Sequence, residues 1–384
     1  MQRSEAVTMA EHVLKTESLA AGYGKQIVAD GLTFRIRRGE ILSLIGPNGA
    51  GKSTVLKTIA AQLPAISGKI AICGMPAAEI SRSQLAQKMS VLLTERLRTE
   101  RMSCLDVAAT GRYPYTGIFG VLSEQDWNTV RHAMQLTGCE QLADADFSQI
   151  SDGQRQCVML ARAIAQEPEI LLLDEPTSFL DISHKMQIMS MIRKLAREQQ
   201  IGVIVSLHEL ELAQKYADQV LCIHNGKAER CGPPETIFDG DYIASLYGMQ
   251  DGCFLPVFGT VEPQANRDAP QVFVIGGGGS GIPVYRRLQR ADIPFAAGIL
   301  HENDVEYPIA KTLASVVIAA RAFEPIAQDT LSDAITIMQA CRDVLCLPES
   351  FGTMNQANAE LRKLAESSGK LRTIEQILPP DPFS

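Results

Sequence analysis

Gly46-Pro47-Asn48-Gly49-Ala50-Gly51-Lys52-Ser53-Thr54 is the stretch from which the rest of the chain can be read. It satisfies the spacing G-x-x-x-x-G-K-[ST], and its flanks agree with it. The run Glu40-Ile41-Leu42-Ser43-Leu44-Ile45 ahead of it predicts a buried strand, and residues 53–62, rich in helix formers, predict a helix behind it. Glycines between a strand and a helix let successive backbone N–H groups turn inward around a polyphosphate, and the helix start adds partial positive charge. Gly46, Asn48, Gly49, Gly51 and Thr54 are therefore expected to line the phosphates. Lys52 is expected on the β- and γ-phosphates, and the Ser53 hydroxyl on Mg²⁺.

The chain has 384 residues, enough for two or three domains with proper cores. A hydrophobic fraction of 46% with 21% charged residues is that of an ordinary soluble protein. A formal net charge of −8 lacks the basic excess of a nucleic-acid binder. No apolar run approaches the length of a bilayer span, and residues 1–15 lack a signal-peptide core, so a cytoplasmic location is expected. Nine scattered cysteines, with no C-x-x-C pair, predict free thiols rather than disulfides or metal ligands.

In chain order, residues 14–24 predict an edge strand closing on Tyr23 in a Gly-Tyr-Gly turn, where the ring is placed either to stack on adenine or simply to pack. Residues 34–44, 68–74 and 89–93 predict further strands. From residue 94 to 149 long strands vanish and helical spacing takes over, which predicts an inserted α-helical lobe. At its entrance Arg96, Arg98, Arg101 and Arg112 alternate with Glu95 and Glu100, a solvated face or a docking surface. Ser151-Asp152-Gly153-Gln154 then precedes a strongly helical stretch, so its hydroxyl and N–H groups suit either a phosphate or a helix cap. The apolar strand 170–173 delivers Asp174 and Glu175 at its carboxyl end, where ligands of parallel sheets bind. Asp174 suits Mg²⁺, and Glu175 suits a base that polarises water for attack on a γ-phosphate. Met186, Met189, Ile192 and Leu195 form a stripe expected in the core. His208 ends the next strand and is placed to sense the γ-phosphate.

The order Tyr23, phosphate loop, helical lobe, Ser151-Asp152-Gly153-Gln154, Asp174-Glu175, Asp181 and His208 resembles the ATP-binding subunit of ABC transporters over residues 12–250. The resemblance implies an α/β P-loop ATPase domain with an inserted helical lobe at about residues 95–165. It also implies a homodimer in the ATP-bound state, with ATP between the phosphate loop of one subunit and Ser151, Gly153 and Gln154 of the other. Carried over, Tyr23 stacks on adenine, Lys52 holds phosphate, Ser53 and Asp174 serve Mg²⁺, and Glu175 is the catalytic base. Asp181 lies in the loop that crosses the dimer interface, and His208 is the switch residue. A separate membrane permease, and through it a substrate-binding protein, are the implied partners, with the chain peripheral on the inner face of the cell membrane. Gly111-Arg112-Tyr113-Pro114-Tyr115-Thr116-Gly117 resembles the subgroup that imports ferric siderophores, haem or cobalamin. Thr94 and Glu95 stand where that family carries a glutamine that touches Mg²⁺, and Asp152 stands where glycine is commoner. These departures leave open an alternative, a soluble ATP-dependent regulator whose C-terminal domain senses a ligand.

Residues 251–270, with Pro256, Pro263 and Pro270, predict a linker, and residues 271–384 alternate strand and helix like a small parallel-sheet, Rossmann-like domain. Gly276-Gly277-Gly278-Gly279-Ser280-Gly281 satisfies G-x-G-x-x-G, with Glu302 or Asp304 some way on, as in dinucleotide-binding folds. No catalytic His, Cys or Lys constellation accompanies it, which leaves a structural or dimerisation unit, or a regulatory pocket for a nucleotide or for the transported ligand.

Overall fold

The computed structural model describes residues 12–93, 101–117 and 120–378. Thr94, Glu95, Arg96, Arg98 and Glu100 lie outside the described residues. The chain divides into two compact units, Met1–Tyr247 and Gly248–Ser384.

Among the described residues the first unit is built on ten strands: β1 (His12–Tyr23), β2 (Gln26–Arg37), β3 (Ile41–Ile45), β4 (Ser67–Ile72), β5 (Met75–Pro76), β6 (Met89–Leu92), β7 (Ile170–Asp174), β8 (Gly202–Ser206), β9 (Gln219–His224) and β10 (Lys227–Gly232). They form one sheet in the order β5-β4-β1-β2-β10-β9-β3-β8-β7-β6. β3, β7 and β8 are buried along their whole length, as strands covered on both faces must be, and they pair in parallel. The stretch 34–44, expected to supply strand, is shared by two: β2 ends at Arg37, and Gly39, with φ +77°, turns the chain into β3. Helix α1 (Lys52–Ile59) follows the phosphate loop, and Val55, Leu56 and Ile59 bury one face in the core with Leu42 and Leu44 of β3.

After α2 (Arg82–Lys88) and β6, the described part of the lobe is helical: α3 (Cys104–Ala109), a 3₁₀ segment Thr110–Tyr115, α4 (Glu124–Leu136) and α5 (Asp152–Ala165). Arg112 departs from the solvated or docking face expected of it. It is only 5% exposed and pairs with Asp126 at 2.9 Å and Glu167 at 2.6 Å. It also donates to the Ala165 carbonyl at 2.8 Å and lies over the Tyr115 ring at 4.0 Å. A Cβ on Gly111 would stand 2.1 Å from the Arg162 carbonyl oxygen, so the Gly-Arg pair clamps the 3₁₀ segment onto the end of α5. Arg112→Ala leaves Asp126 Oδ1 and the buried Ala165 carbonyl without the Arg112 donor and is expected to cost about 3 kcal/mol of stability. Arg101→Ala, at an exposed position, should stay within about 0.5 kcal/mol. Urea melts of the two variants check the contrast.

Helix α6 (Ile182–Gln199) buries Met189, Ile192 and Leu195 as expected of the stripe, but Met186, also assigned to it, is 37% exposed. The stripe leaves the core in the first turn of the helix, where the Tyr216 hydroxyl meets the Met186 sulfur at 3.9 Å. Helices α7 (Leu210–Tyr216) and α8 (Gly240–Tyr247) also lie in this unit, with a single helical turn at Pro234–Ile237 between them.

In the second unit the expected linker is partly folded. β11 (Gly252–Leu255) and β12 (Thr260–Pro263) pair as an antiparallel hairpin, because Phe254 and Leu255 are buried and Leu255 joins the core of this unit. Five parallel strands follow: β13 (Val272–Ile275), β14 (Phe295–His301), β15 (Val316–Ala320), β16 (Asp343–Cys346) and β17 (Leu371–Arg372). Their order is β15-β14-β13-β16-β17, the Rossmann arrangement, with β13 central. Alternate residues of β13 enter opposite layers, as the period of two demands. Val272 and Val274 pack with Tyr285 and Leu288 of α9 (Ile282–Arg290) and Ile309 of α10 (Tyr307–Leu313). Phe273 and Ile275 pack with Leu331 of α11 (Gln328–Ala340) and Leu361 of α12 (Ala357–Ser367). All nine cysteines are free.

Candidate active site

The phosphate loop runs from the end of β3 into α1 and takes positive φ at Gly46 (+147°), Gly49 (+79°) and Gly51 (+102°). A Cβ on Gly46 would stand 2.0 Å from the Ile223 carbonyl oxygen, and one on Gly51 would stand 2.8 Å from a Val28 methyl. Glycine at these two positions is therefore required by packing as well as by backbone geometry. Asn48 and Gly49 are exposed at the tip, whereas Thr54 is buried in the first turn of α1. Lys52 folds back so that Nζ donates to the carbonyls of Gly46 at 2.7 Å and Pro47 at 3.2 Å. Burial lowers the pKa of this ammonium, and the nearby carboxylates of Glu175 and Asp174 oppose that shift.

The strand ends then meet. Ser53 Oγ donates to Asp174 Oδ1 at 3.1 Å, and Ser206 Oγ donates to the same oxygen at 2.7 Å. Ser206 in turn accepts the Glu175 N–H at 2.9 Å, so this buried hydroxyl at the end of β8 ties the Asp174 carboxylate to the backbone of Glu175. Glu175 takes φ +51°, its Oε1 contacts His208 Nε2, and its Oε2 accepts from Ser178 Oγ at 3.0 Å. Lys52, Ser53, Asp174, Glu175 and His208 thus form one connected group at the carboxyl edge of the sheet. A hydroxyl and a carboxylate side by side are hard oxygen donors of the kind Mg²⁺ takes, so Ser53 and Asp174 fit the expected ion.

Ser151, Gly153, Gln154 and Asp181 form a second group. Ser151 caps α5, and it closes a reciprocal box with Gln154 through bonds of 3.2 Å and 3.0 Å. Asp181 caps α6, accepting from the His184 N–H at 2.9 Å and the Ser183 hydroxyl at 2.8 Å, while its other oxygen meets His184 Nδ1 at 2.8 Å. These bonds, the His184 N–H first, hold the Asp181 carboxyl well below the usual carboxylate range. A Cβ on Gly153 would stand 2.8 Å from the His184 ring, so His184 joins Asp181 to the start of α5. Tyr23 stands at the β1–β2 turn, 52% exposed, with its ring available to a ligand.

Sequence reasoning missed Ser206, His184 and Tyr247. Ser206 had a signal, a hydroxyl at the end of an apolar strand beside the carboxylate-bearing one. Tyr247 had none: its hydroxyl accepts the Gly46 N–H at 3.1 Å from 201 positions away. Burial pushes this phenol up to about 12, so it stays protonated at neutral pH. Tyr247→Phe removes the acceptor of one loop N–H and is expected to raise the KM for ATP about fivefold, roughly 1 kcal/mol, with kcat little changed. Steady-state ATPase kinetics check the split.

The ABC transporter family matches residues 29–178, and the MJ0874 family matches residues 295–376. An uncharacterized ABC transporter ATP-binding protein of Methanocaldococcus jannaschii, MJ0873, is 43% identical over 277 residues, 72% of this chain and 96% of that one. The cobalamin import ATP-binding protein BtuD of Halobacterium salinarum is 30% identical over 328 residues, 84% of this chain and 82% of that one. Among solved structures, the dimeric MJ0796, a bacterial ABC transporter cassette, is 25% identical with a TM-score of 0.51, covering 58% of this chain and 98% of that one. The chain belongs to the ATP-binding proteins of ABC transporters, and it binds and hydrolyses ATP. Among the described residues no helix is long and apolar enough to cross a membrane.

Proposed function

We propose that the chain energises import of a chelated-metal solute through a separate membrane permease, with a cobalamin-type compound as the first candidate and ferric siderophore or haem as the alternatives. The observation that carries this reading is the extent of one likeness. The cobalamin import relative aligns over 84% of the chain, more than Met1–Tyr247 can supply, so the similarity continues into the second unit. The ATPase domain, on this reading, spans residues 12–250 with its lobe at about 95–165, and the Rossmann-like domain spans 271–384.

Two copies close on ATP. Each phosphate loop, turned at Gly46, holds the triphosphate through Lys52 and the inward N–H groups of Asn48, Gly49, Gly51, Ser53 and Thr54, while Tyr23 stacks on the adenine. Ser53 and Asp174 would hold Mg²⁺, which would supply positive charge against the negative charge of the triphosphate. The partner's Ser151, Gly153 and Gln154 complete the pocket, and Asp181 lies at the crossing between copies. Glu175 orients and deprotonates the attacking water, and His208, already in contact with its carboxylate, reports the γ-phosphate. Charge developing on the γ-phosphoryl group meets Lys52 and the loop N–H groups in place, without reorganisation. Closure on binding and release after hydrolysis shift a population that a permease reads as work. A substrate-binding protein is engaged only through that permease, and the chain sits peripherally on the inner face of the cell membrane.

Purification of the tagged chain from its own membranes in mild detergent, followed by reconstitution in vesicles, tests the assignment. A co-purifying membrane protein and ATP-dependent accumulation of labelled cobalamin are expected. Accumulation of a ferric chelate instead reassigns the solute, and the absence of any membrane partner favours the soluble regulator.

A further inference from the structure

The glycine loop Gly276–Gly281 sits between β13 and α9, where a Rossmann sheet receives a pyrophosphate. Its N–H groups are already engaged. Glu306, wholly buried and immediately ahead of α10, points its carboxylate into the loop. Oε1 accepts the N–H groups of Gly277 at 3.0 Å and Gly281 at 2.6 Å, and at 3.3 Å it shares the Ser280 hydroxyl with the Gly277 carbonyl, which that hydroxyl meets at 2.9 Å. Oε2 accepts the Tyr285 hydroxyl at 2.8 Å. Asp304, one of the two acids noted in the sequence after the glycine turn, accepts the Gly278 N–H at 3.0 Å and the Glu306 N–H at 2.9 Å.

The glycines are explained by this occupant. A Cβ on either Gly276 or Gly281 would stand 2.4 Å from Glu306 Oε2 and would also strike the Tyr285 hydroxyl. Gly277, Gly278 and Gly279 take φ of +140°, +65° and +95°, which wrap the loop round the carboxylate. The contrast with the first unit is one of charge. The phosphate loop Gly46–Thr54 folds its own cation, Lys52, onto loop carbonyls, whereas this loop folds an anion onto its N–H groups.

We propose that the glycine loop of the second unit is an anion cradle filled by the chain's own Glu306, which latches the β13–α9 turn to the start of α10 and shuts dinucleotide phosphates out. An entering phosphate must displace a buried carboxylate from four donors and meet the negative charge of Asp304 beside it. This inference stands apart from the transport reading and survives its failure, because it concerns only contacts within the second unit.

The test uses the full chain. With Lys52→Ala silencing the first phosphate loop, titration with NAD⁺ by calorimetry is expected to show no saturable binding, and saturable binding overturns the proposal. Glu306→Ala is expected to lower the melting temperature of the second unit by about 10 °C or more. Added formate, a free carboxylate small enough for the vacated space, is expected to recover part of that loss while leaving the wild type unmoved. Melting like the wild type, or no response to formate, overturns the latch. Should the alanine variant fail to fold, Glu306→Gln carries the test. It keeps shape and one acceptor oxygen, so it should fold with a smaller loss and still exclude NAD⁺, and NAD⁺ binding by it overturns the proposal.

Discussion

Glu175→Gln is expected to slow ATP turnover about 10²- to 10⁴-fold while ATP is still bound. The substitution keeps the shape of the side chain and its ability to accept from Ser178, but removes the charge and basicity that face His208. Nothing in the Lys52 and Ser53 contacts depends on that charge for geometry, since Ser206 holds the Glu175 backbone through its N–H. ATP therefore stays, and the dimer that hydrolysis normally dissolves should accumulate. Sedimentation of the variant with ATP should show about twice the chain mass. Wild-type turnover ends the assignment of the base, and single chains at saturating ATP end the shared pocket.

Lys52→Ala is expected to weaken ATP binding by about 100-fold or more, roughly 2.7 kcal/mol. The ammonium is buried beside Glu175 and Asp174, so its removal leaves two carboxylates facing a polyphosphate with one compensating charge fewer. The buried Gly46 carbonyl and the half-buried Pro47 carbonyl lose one donor, a cost of about 1–3 kcal/mol that a domain of this size should tolerate, so the fold should persist. Calorimetric titration with ATP, beside an unchanged far-UV spectrum, checks both halves. Affinity within threefold of the wild type contradicts the role given to Lys52.

Much of the site is a local property of the chain. The strand before Gly46 and the helix after Thr54 were legible from hydrophobic periodicity, and so were the strand behind Asp174 and the one before His208. Parallel strands buried on both faces leave continuous apolar runs, which short windows detect. The departures have physical causes of the opposite kind. Arg112 looked like part of a solvated charge run because its partners Asp126 and Glu167 lie 14 and 55 positions away. The hairpin in residues 252–263 looked like a linker because Pro256 and Pro263 break it and its apolar residues show no regular period, and only packing of Leu255 on the second core decides it. Thr94 and Glu95, the departure from the family pattern, lie outside the described residues.

By itself the sequence determined the phosphate loop, the order of motifs along the chain, the alternation of strand and helix in both units and the glycine turn after β13, because each is encoded over a few consecutive residues. The tertiary structure alone decided what fills that turn, which hydroxyl aligns Asp174 with Glu175, and which phenol holds the Gly46 N–H. Those contacts join residues 25 to 201 positions apart, and their pairing exists only once the sheets have closed. Two glycine loops of similar spelling consequently differ in what they can receive: one keeps a cation in place for phosphate, and the other already holds a carboxylate.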